Sequence, residues 1–92
     1  MGNDAQAMQP TKSVWIGNIS SGTTSAMLES VFGEFGAIES IRVLNLKSCA
    51  FVNFEKLEDA VRAKNAIAGK EIDGSVVRVG YAKVVANSQQ QQ

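Results

Sequence analysis

Histidine is absent from the 92 residues, and cysteine occurs only once. The first absence removes the commonest general base and most zinc arrangements. The second excludes an internal disulfide and accords with a reducing, intracellular setting. Neither sign of charge prevails, because nine Lys and Arg balance nine Asp and Glu. Bulk attraction to a polyanion is therefore not expected, and any basic character must come from how the charges are distributed. No apolar run approaches the ~20 residues of a membrane helix, and no charged-then-apolar leader is visible, so no membrane partner is expected. The chain is long enough for one small domain, and its 45% hydrophobic content argues against full disorder.

Aromatics are also few, which makes their placement informative. The stretch Lys47 to Phe54 reads KSCAFVNF. As a strand, it would put Ala50, Val52 and Phe54 on one face and Cys49, Phe51 and Asn53 on the other. The first face is apolar and suits a core. The second sets a phenylalanine beside an amide, with Lys47 at the entrance. Such a ring is either buried on a doubly covered strand or left open as a platform for a nucleic-acid base. The stretch Lys12 to Ile19, KSVWIGNI, repeats the arrangement, with Val14 and Ile16 opposite Trp15 and Gly17.

The two stretches resemble the octamer and hexamer motifs of the RNA recognition motif (RRM). The octamer runs Lys/Arg, Gly, Phe/Tyr, Gly/Ala, Phe, Val, any residue, Phe/Tyr. Lys47, Ala50, Phe51, Val52 and Phe54 match it, and Asn53 fills the free position. Ser48 replaces the glycine and Cys49 the first aromatic. Val14 to Ile19 is similar to the hexamer throughout, with Trp15 at its aromatic position. The resemblance spans about Ser13 to Lys83, and within the family it is greatest to RRMs of fungal multi-RRM regulators such as negative regulator of differentiation proteins.

The remaining chain reads as follows. Residues 1–12 are expected to be a disordered lead, 13–83 the domain, and 84–92 an exit segment with a glutamine-rich linker continuing into a larger protein. Strand one is placed at Ser13 to Asn18. A helix follows, capped by Thr24, with Leu28, Val31, Phe32 and Phe35 as its apolar stripe, Gly33 inside it and Gly36 as a left-handed stop. Strand two is placed at Ile38 to Leu44, with Ile41 and Val43 inward and Arg42 and Leu44 outward. A short turn, Asn45 to Ser48, leads to strand three. A second helix at Leu57 to Ala68 packs through Ala60, Ala63 and Ile67 and stops at Gly69. Lys70 to Gly74 is a turn or short hairpin, and strand four is Ser75 to Tyr81, with Val77 and Val79 inward. This order, βαββαβ, is that of an α+β, ferredoxin-like fold: a four-stranded antiparallel sheet with two helices on one face. The strand order 4-1-3-2 is what the RRM resemblance implies.

The function implied is that of a single-stranded RNA-binding module acting on mRNA, with neighbouring RRMs in the parent chain, itself monomeric and without cofactor, metal or catalytic residue. Trp15 and Phe51 are the expected stacking platforms. Arg42, Lys47, Arg78 and Lys83 are candidates for phosphate or base-edge contacts, the alternative for each being a solvated strand charge. Asn18 and Asn53 are candidates for reading base edges, or else for turn and sheet hydrogen bonds. Gly17 and Gly80 would leave room for a base to lie flat, or would mark bulges. Cys49 is expected on the open face as a missing third aromatic contact, the competing reading being a buried small thiol, and Tyr81 to Lys83 offers main-chain groups, unless Tyr81 only packs at the sheet edge. Two other functions compete. A peptide-binding module would use the helix side, but such variants tend to lose their sheet aromatics and to carry an Arg-x-Phe loop, which Gly69 to Gly74 lacks. An acylphosphatase-like hydrolase would need chemistry from Glu29, Glu34, Glu58 or Asp59, which read as solvated helix charge.

Overall fold

The computed structural model describes residues 10–82. In chain order the elements are β1 (Ser13–Gly17), α1 (Ser25–Phe32), β2 (Ile38–Leu44), β3 (Cys49–Phe54), α2 (Leu57–Ile67), β4 (Glu71–Ile72), β5 (Ser75–Val76) and β6 (Arg78–Tyr81). Four strands form one antiparallel sheet in the order β2-β3-β1-β6, which is the expected order with β6 as the fourth strand. The two motif strands are therefore central, and both helices pack on the same face of the sheet. The expected lead and linker, and Lys83, lie almost wholly or wholly outside the described residues.

The core follows from alternation. Val14 and Ile16 of β1 and Ala50, Val52 and Phe54 of β3 are buried beneath Leu28 and Phe32 of α1 and Ala60, Ala63 and Ile67 of α2. Phe32 and Phe54 meet as tilted rings, with centroids 6.4 Å apart and planes at 58°, a favourable aromatic arrangement. The small side chains of Ala60 and Ala63 let α2 come close to the sheet.

The start of α1 has a local cause. Thr24 is extended, and its Oγ1 accepts a hydrogen bond from the Met27 backbone N–H at 3.2 Å, as an N-cap should. The first helix is shorter than the sequence suggested. It ends at Phe32, with Gly33 as its C-cap, and a single 3-10 turn, Gly33–Phe35, carries the chain onward. Gly36 is not left-handed: its φ of 161° is extended backbone. Glycine is needed there for space, because a Cβ would fall on the Asp59 side chain, 2.7 Å from its Cβ and closer still to its carboxylate. Asp59 is accordingly 9% exposed, not the solvated helix acid expected, and it pairs with Arg62 at 3.2 Å. Arg62 also donates to the Phe35 carbonyl, so it ties α2 to the turn that ends α1.

Two further differences concern the edges. Strict alternation along β2 would point Ile38 outward with Ser40, Arg42 and Leu44. A bulge between Ile38 and Ser40 instead sets Ile38 opposite Phe54 and Ser40 opposite Asn53, so Ile38 packs on the core while Ser40 faces out. The single fourth strand expected at Ser75 to Tyr81 is divided at Val77. Its first part, β5, pairs with β4 across the two-residue turn Asp73–Gly74, both with positive φ, a geometry that Asp-Gly favours in hairpins. Val77 hydrogen-bonds back to Lys70 and Gly69, and only β6 joins the main sheet.

Candidate nucleic-acid interface

The sheet face away from the helices is a lattice set by register. One row crosses it as Arg42, Phe51, Trp15 and Gly80, from β2 to β6. The next row is Leu44, Cys49, Gly17 and Arg78. On the other side of the aromatic row lie Ser40, Asn53 and Ser13. Trp15 and Phe51 are thus direct cross-strand partners, both half-buried, whereas Phe54 on the opposite face has no exposure at all. Arg42 and Arg78 stand exposed at the two flanks of the sheet.

Trp15 does not project straight outward. The six-membered part of its indole lies over Gly17, two residues along the same strand. A Cβ on Gly17 would sit 2.6 Å from Cζ2 and 2.9 Å from Cζ3. The space that Gly17 leaves is therefore filled by the indole and not held open for a base, which corrects the expectation for that residue. The ring lies flat over the sheet backbone at Gly17 and is half-buried, an arrangement that suits a platform. The pattern of an aromatic followed two places later by glycine on the same face was available in the sequence as a signal for this.

Trp15, Asn18, Lys47, Ser48 and Arg78 line one shallow depression of about 410 Å³. Lys47 comes from the 3-10 turn Asn45–Lys47 between β2 and β3, and Ser48 follows in the left-handed region at φ 54°. The turn thus carries a cation to one side of the indole, and β6 brings Arg78 to the other. Ser48 was not expected as a site residue, since the octamer match treats it only as a missing glycine. Phe51, Arg42 and Asn53 continue the face beyond this depression.

Both asparagines are partly committed. The Asn18 Nδ2 donates to the Val76 carbonyl at 2.8 Å, and the Asn53 Nδ2 donates to Ser40 Oγ at 2.9 Å. Each thereby fixes its own amide and leaves the carbonyl oxygen, an acceptor, together with the second N–H, a donor, for a ligand. Asn18 also adopts positive φ, 63°, so β1 ends at Gly17 and not at Asn18. Tyr81 pairs with Val14 and so faces the helix layer, where Lys64 Nζ lies 5.5 Å from its ring centroid and burial pushes its phenol pKa up. It takes no place on the open face. Lys83 lies outside the described residues.

Cys49 requires a correction. Register puts it on the outer face, as expected, but it is 7% exposed and stands apart from the core cluster. Its neighbours across the strands are Leu44 and Gly17, the residue beneath the indole. The thiol thus behaves as a small buried hydrophobe between the half-buried rings and the exposed arginines of this face. Cys49→Tyr is expected to overpack this position and cost about 1–3 kcal/mol of stability with no gain in RNA affinity. A thermal melt beside an RNA titration checks this, and an unchanged melting temperature with tighter binding would contradict it.

The family model described as RNA recognition motif matches residues 14–78. The chain is 34% identical over 87 residues to the flowering time control protein FPA of Arabidopsis thaliana, covering 95% of this chain and 10% of that protein. It is 32% identical over 80 residues to heterogeneous nuclear ribonucleoprotein Q of Homo sapiens, covering 87% of this chain and 12% of that protein. The chain therefore spans about a tenth of the length of these curated relatives. In structure it is similar to the RRM domain of S. pombe Puf1, with a TM-score of 0.70 at 26% identity, over 78% of this chain and 97% of that one. Motif strands at the centre of a β2-β3-β1-β6 sheet, helices on one side and aromatics on the other agree with these likenesses, and the chain belongs to the RNA recognition motif family, a family of RNA-binding domains.

Proposed function

We propose that this domain binds single-stranded RNA by stacking one base on the Trp15 indole and a neighbouring base on Phe51. The observation that carries the reading is the depression in which Trp15 lies flat between Lys47 and Arg78. A base laid on the indole would put its flanking phosphates within the reach of long cationic side chains on both sides. Its edge would meet the acceptor oxygen of Asn18. Phe51 and Arg42, next along the aromatic row, repeat the pairing of ring and cation. Every base has a π-face, so stacking holds the strand with little sequence preference, and the polar groups around the rings supply what discrimination there is. Two platforms engage a few nucleotides only. Regulation of mRNA by a longer protein in which neighbouring RRMs add avidity is the setting that accords with this small footprint. The domain acts as a monomer in this reading.

Arg42, Lys47 and Arg78 are the cations of this face among the described residues, and the net charge of the chain is zero. Few phosphates are therefore neutralised. The slope of log affinity against log salt is about −0.7 per phosphate contact for single strands, so two to four contacts give about −1.4 to −2.8. Fluorescence titrations of a short single-stranded RNA at several salt concentrations measure this slope. A slope much steeper than this range would show that basic residues outside the sheet face dominate binding. A slope near zero would remove Lys47 and Arg78 from any role with phosphate.

A further inference from the structure

The loop that leaves β1 is tied to a part of the chain far away in sequence. The Asn18 Nδ2 donates to the Val76 carbonyl of β5, and the Ser20 hydroxyl donates to the Asp73 carboxylate in the hairpin turn. Ser20 has a single hydroxyl proton, so at its 2.9 Å contact with buried Thr23 it accepts and the Thr23 hydroxyl donates. The two segments approach closely: a Cβ on Gly22 would stand 2.9 Å from Asp73 Oδ2. The β4–β5 hairpin pairs with itself and stands outside the four-stranded sheet. Ile72 and Val77 root it in the core. Asn18 and Ser20 are its side-chain hydrogen-bond partners among the described residues.

We propose that Ser20 and Asp73 are positioning residues for base recognition: they latch the hairpin to the loop and so hold the Asn18 amide in the orientation it offers to a base. This rests on the RNA reading, in which Asn18 lines the depression around Trp15. A carbonyl oxygen can only accept, so Val76 holds the Nδ2 end of the amide. A half-turn would set Oδ1 against the Val76 oxygen, two acceptors face to face. The hairpin therefore decides which end of the amide the depression receives. Both ties are exposed, and a single exposed hydrogen bond competes with water on nearly equal terms. Made together between the same two segments, each keeps the partners of the other in reach, so the pair holds better than either alone. Neither Ser20 nor Asp73 lines the depression; they act through Asn18.

Two readouts separate the latch from RNA binding itself. In the RNA-free chain, hydrogen exchange of the Asn18 side-chain amide, followed by nuclear magnetic resonance, is expected to quicken about fivefold in Ser20→Ala and in Asp73→Gly, as for the loss of one ordinary hydrogen bond. Glycine suits the positive φ of position 73. Ser20→Thr and Asp73→Asn keep a hydroxyl and an acceptor, and should exchange as the parent chain does. With RNA, the readout is the ratio of the best to the worst affinity among hexamers of adenine, cytosine and uracil, in which the phosphate contribution cancels. That ratio should fall by about fivefold, or to one, in Ser20→Ala, Asp73→Gly and Asn18→Gly, and persist in the two conservative variants. A purely structural role would leave the ratio unchanged. Unaltered amide exchange in both latch variants overturns the proposal, as does faster exchange with an unaltered ratio. A ratio that collapses in Asn18→Gly alone removes Ser20 and Asp73 and leaves the RNA reading standing. A parent chain that binds all three hexamers alike has no edge reading to position, which also overturns the proposal. A parent chain that binds none of them sinks the RNA reading, and the proposal with it.

Discussion

Phe54→Ala is expected to cost the fold ~3–5 kcal/mol, the usual penalty for emptying a fully buried ring site. Phe54 has no exposed surface, and it meets Phe32 across the sheet–helix interface, so no neighbour can collapse into the hole without moving α1. Phe51, three residues earlier, has the same side chain on the other face, where it is half-buried and absent from the core cluster. Phe51→Ala is expected to leave the denaturation midpoint much nearer that of the parent chain and to weaken RNA binding by about 1–3 kcal/mol, the worth of one stack. Denaturant melts and RNA titrations of the two variants, run side by side, separate the roles. Equal destabilisation by both would mean that the outer face is covered and is no platform.

Trp15→Ala carries the second large effect. It removes the ring that roofs Gly17 and walls the depression shared with Lys47 and Arg78. Affinity for single-stranded RNA is expected to fall by about 1–3 kcal/mol. Because Trp15 and Phe51 are direct cross-strand partners, the double variant tests whether they hold separate bases. Losses that add describe two stacks, and losses that do not add describe one base shared or a strand whose path both rings set. Stability should respond less than to Phe54→Ala, since the indole is only half-buried. A melt that shows as large a loss would assign Trp15 to packing.

Alternation was enough to separate the two faces of the motif strands. A side chain two residues from Val14 or Val52 must share its face, and the buried and half-buried sets fall as that rule requires except at Gly17 and Cys49, which are buried on the outer face. Thr24, Gly69 and the Asp73–Gly74 turn were legible from local chemistry as well. What stayed hidden depends on contacts between distant residues. The bulge in β2 reverses the outlook of Ile38, and no run of residues announces it. Gly36 looked like a helix stop, but the constraint on it is the Asp59 side chain of the other helix. The amides of Asn18 and Asn53 found partners on Val76 and Ser40, residues 58 and 13 positions away. Cys49 lies on the side that alternation gives it, yet it is shielded among Leu44, Gly17 and the indole over Gly17. Period two assigns the side of a sheet; it cannot say what a neighbouring ring covers.

The chain has one tryptophan, so its emission reports on the platform directly. Titrating the protein with a short single-stranded RNA and following that emission is the most direct test of an open, base-stacking face. Saturable quenching that titrates with binding, persists in Phe54→Leu and weakens in Phe51→Ala is the predicted result. RNA that binds, as read by a label on its own end, while Trp15 emission stays constant would contradict the account, because a base stacked on the indole cannot leave its emission unchanged.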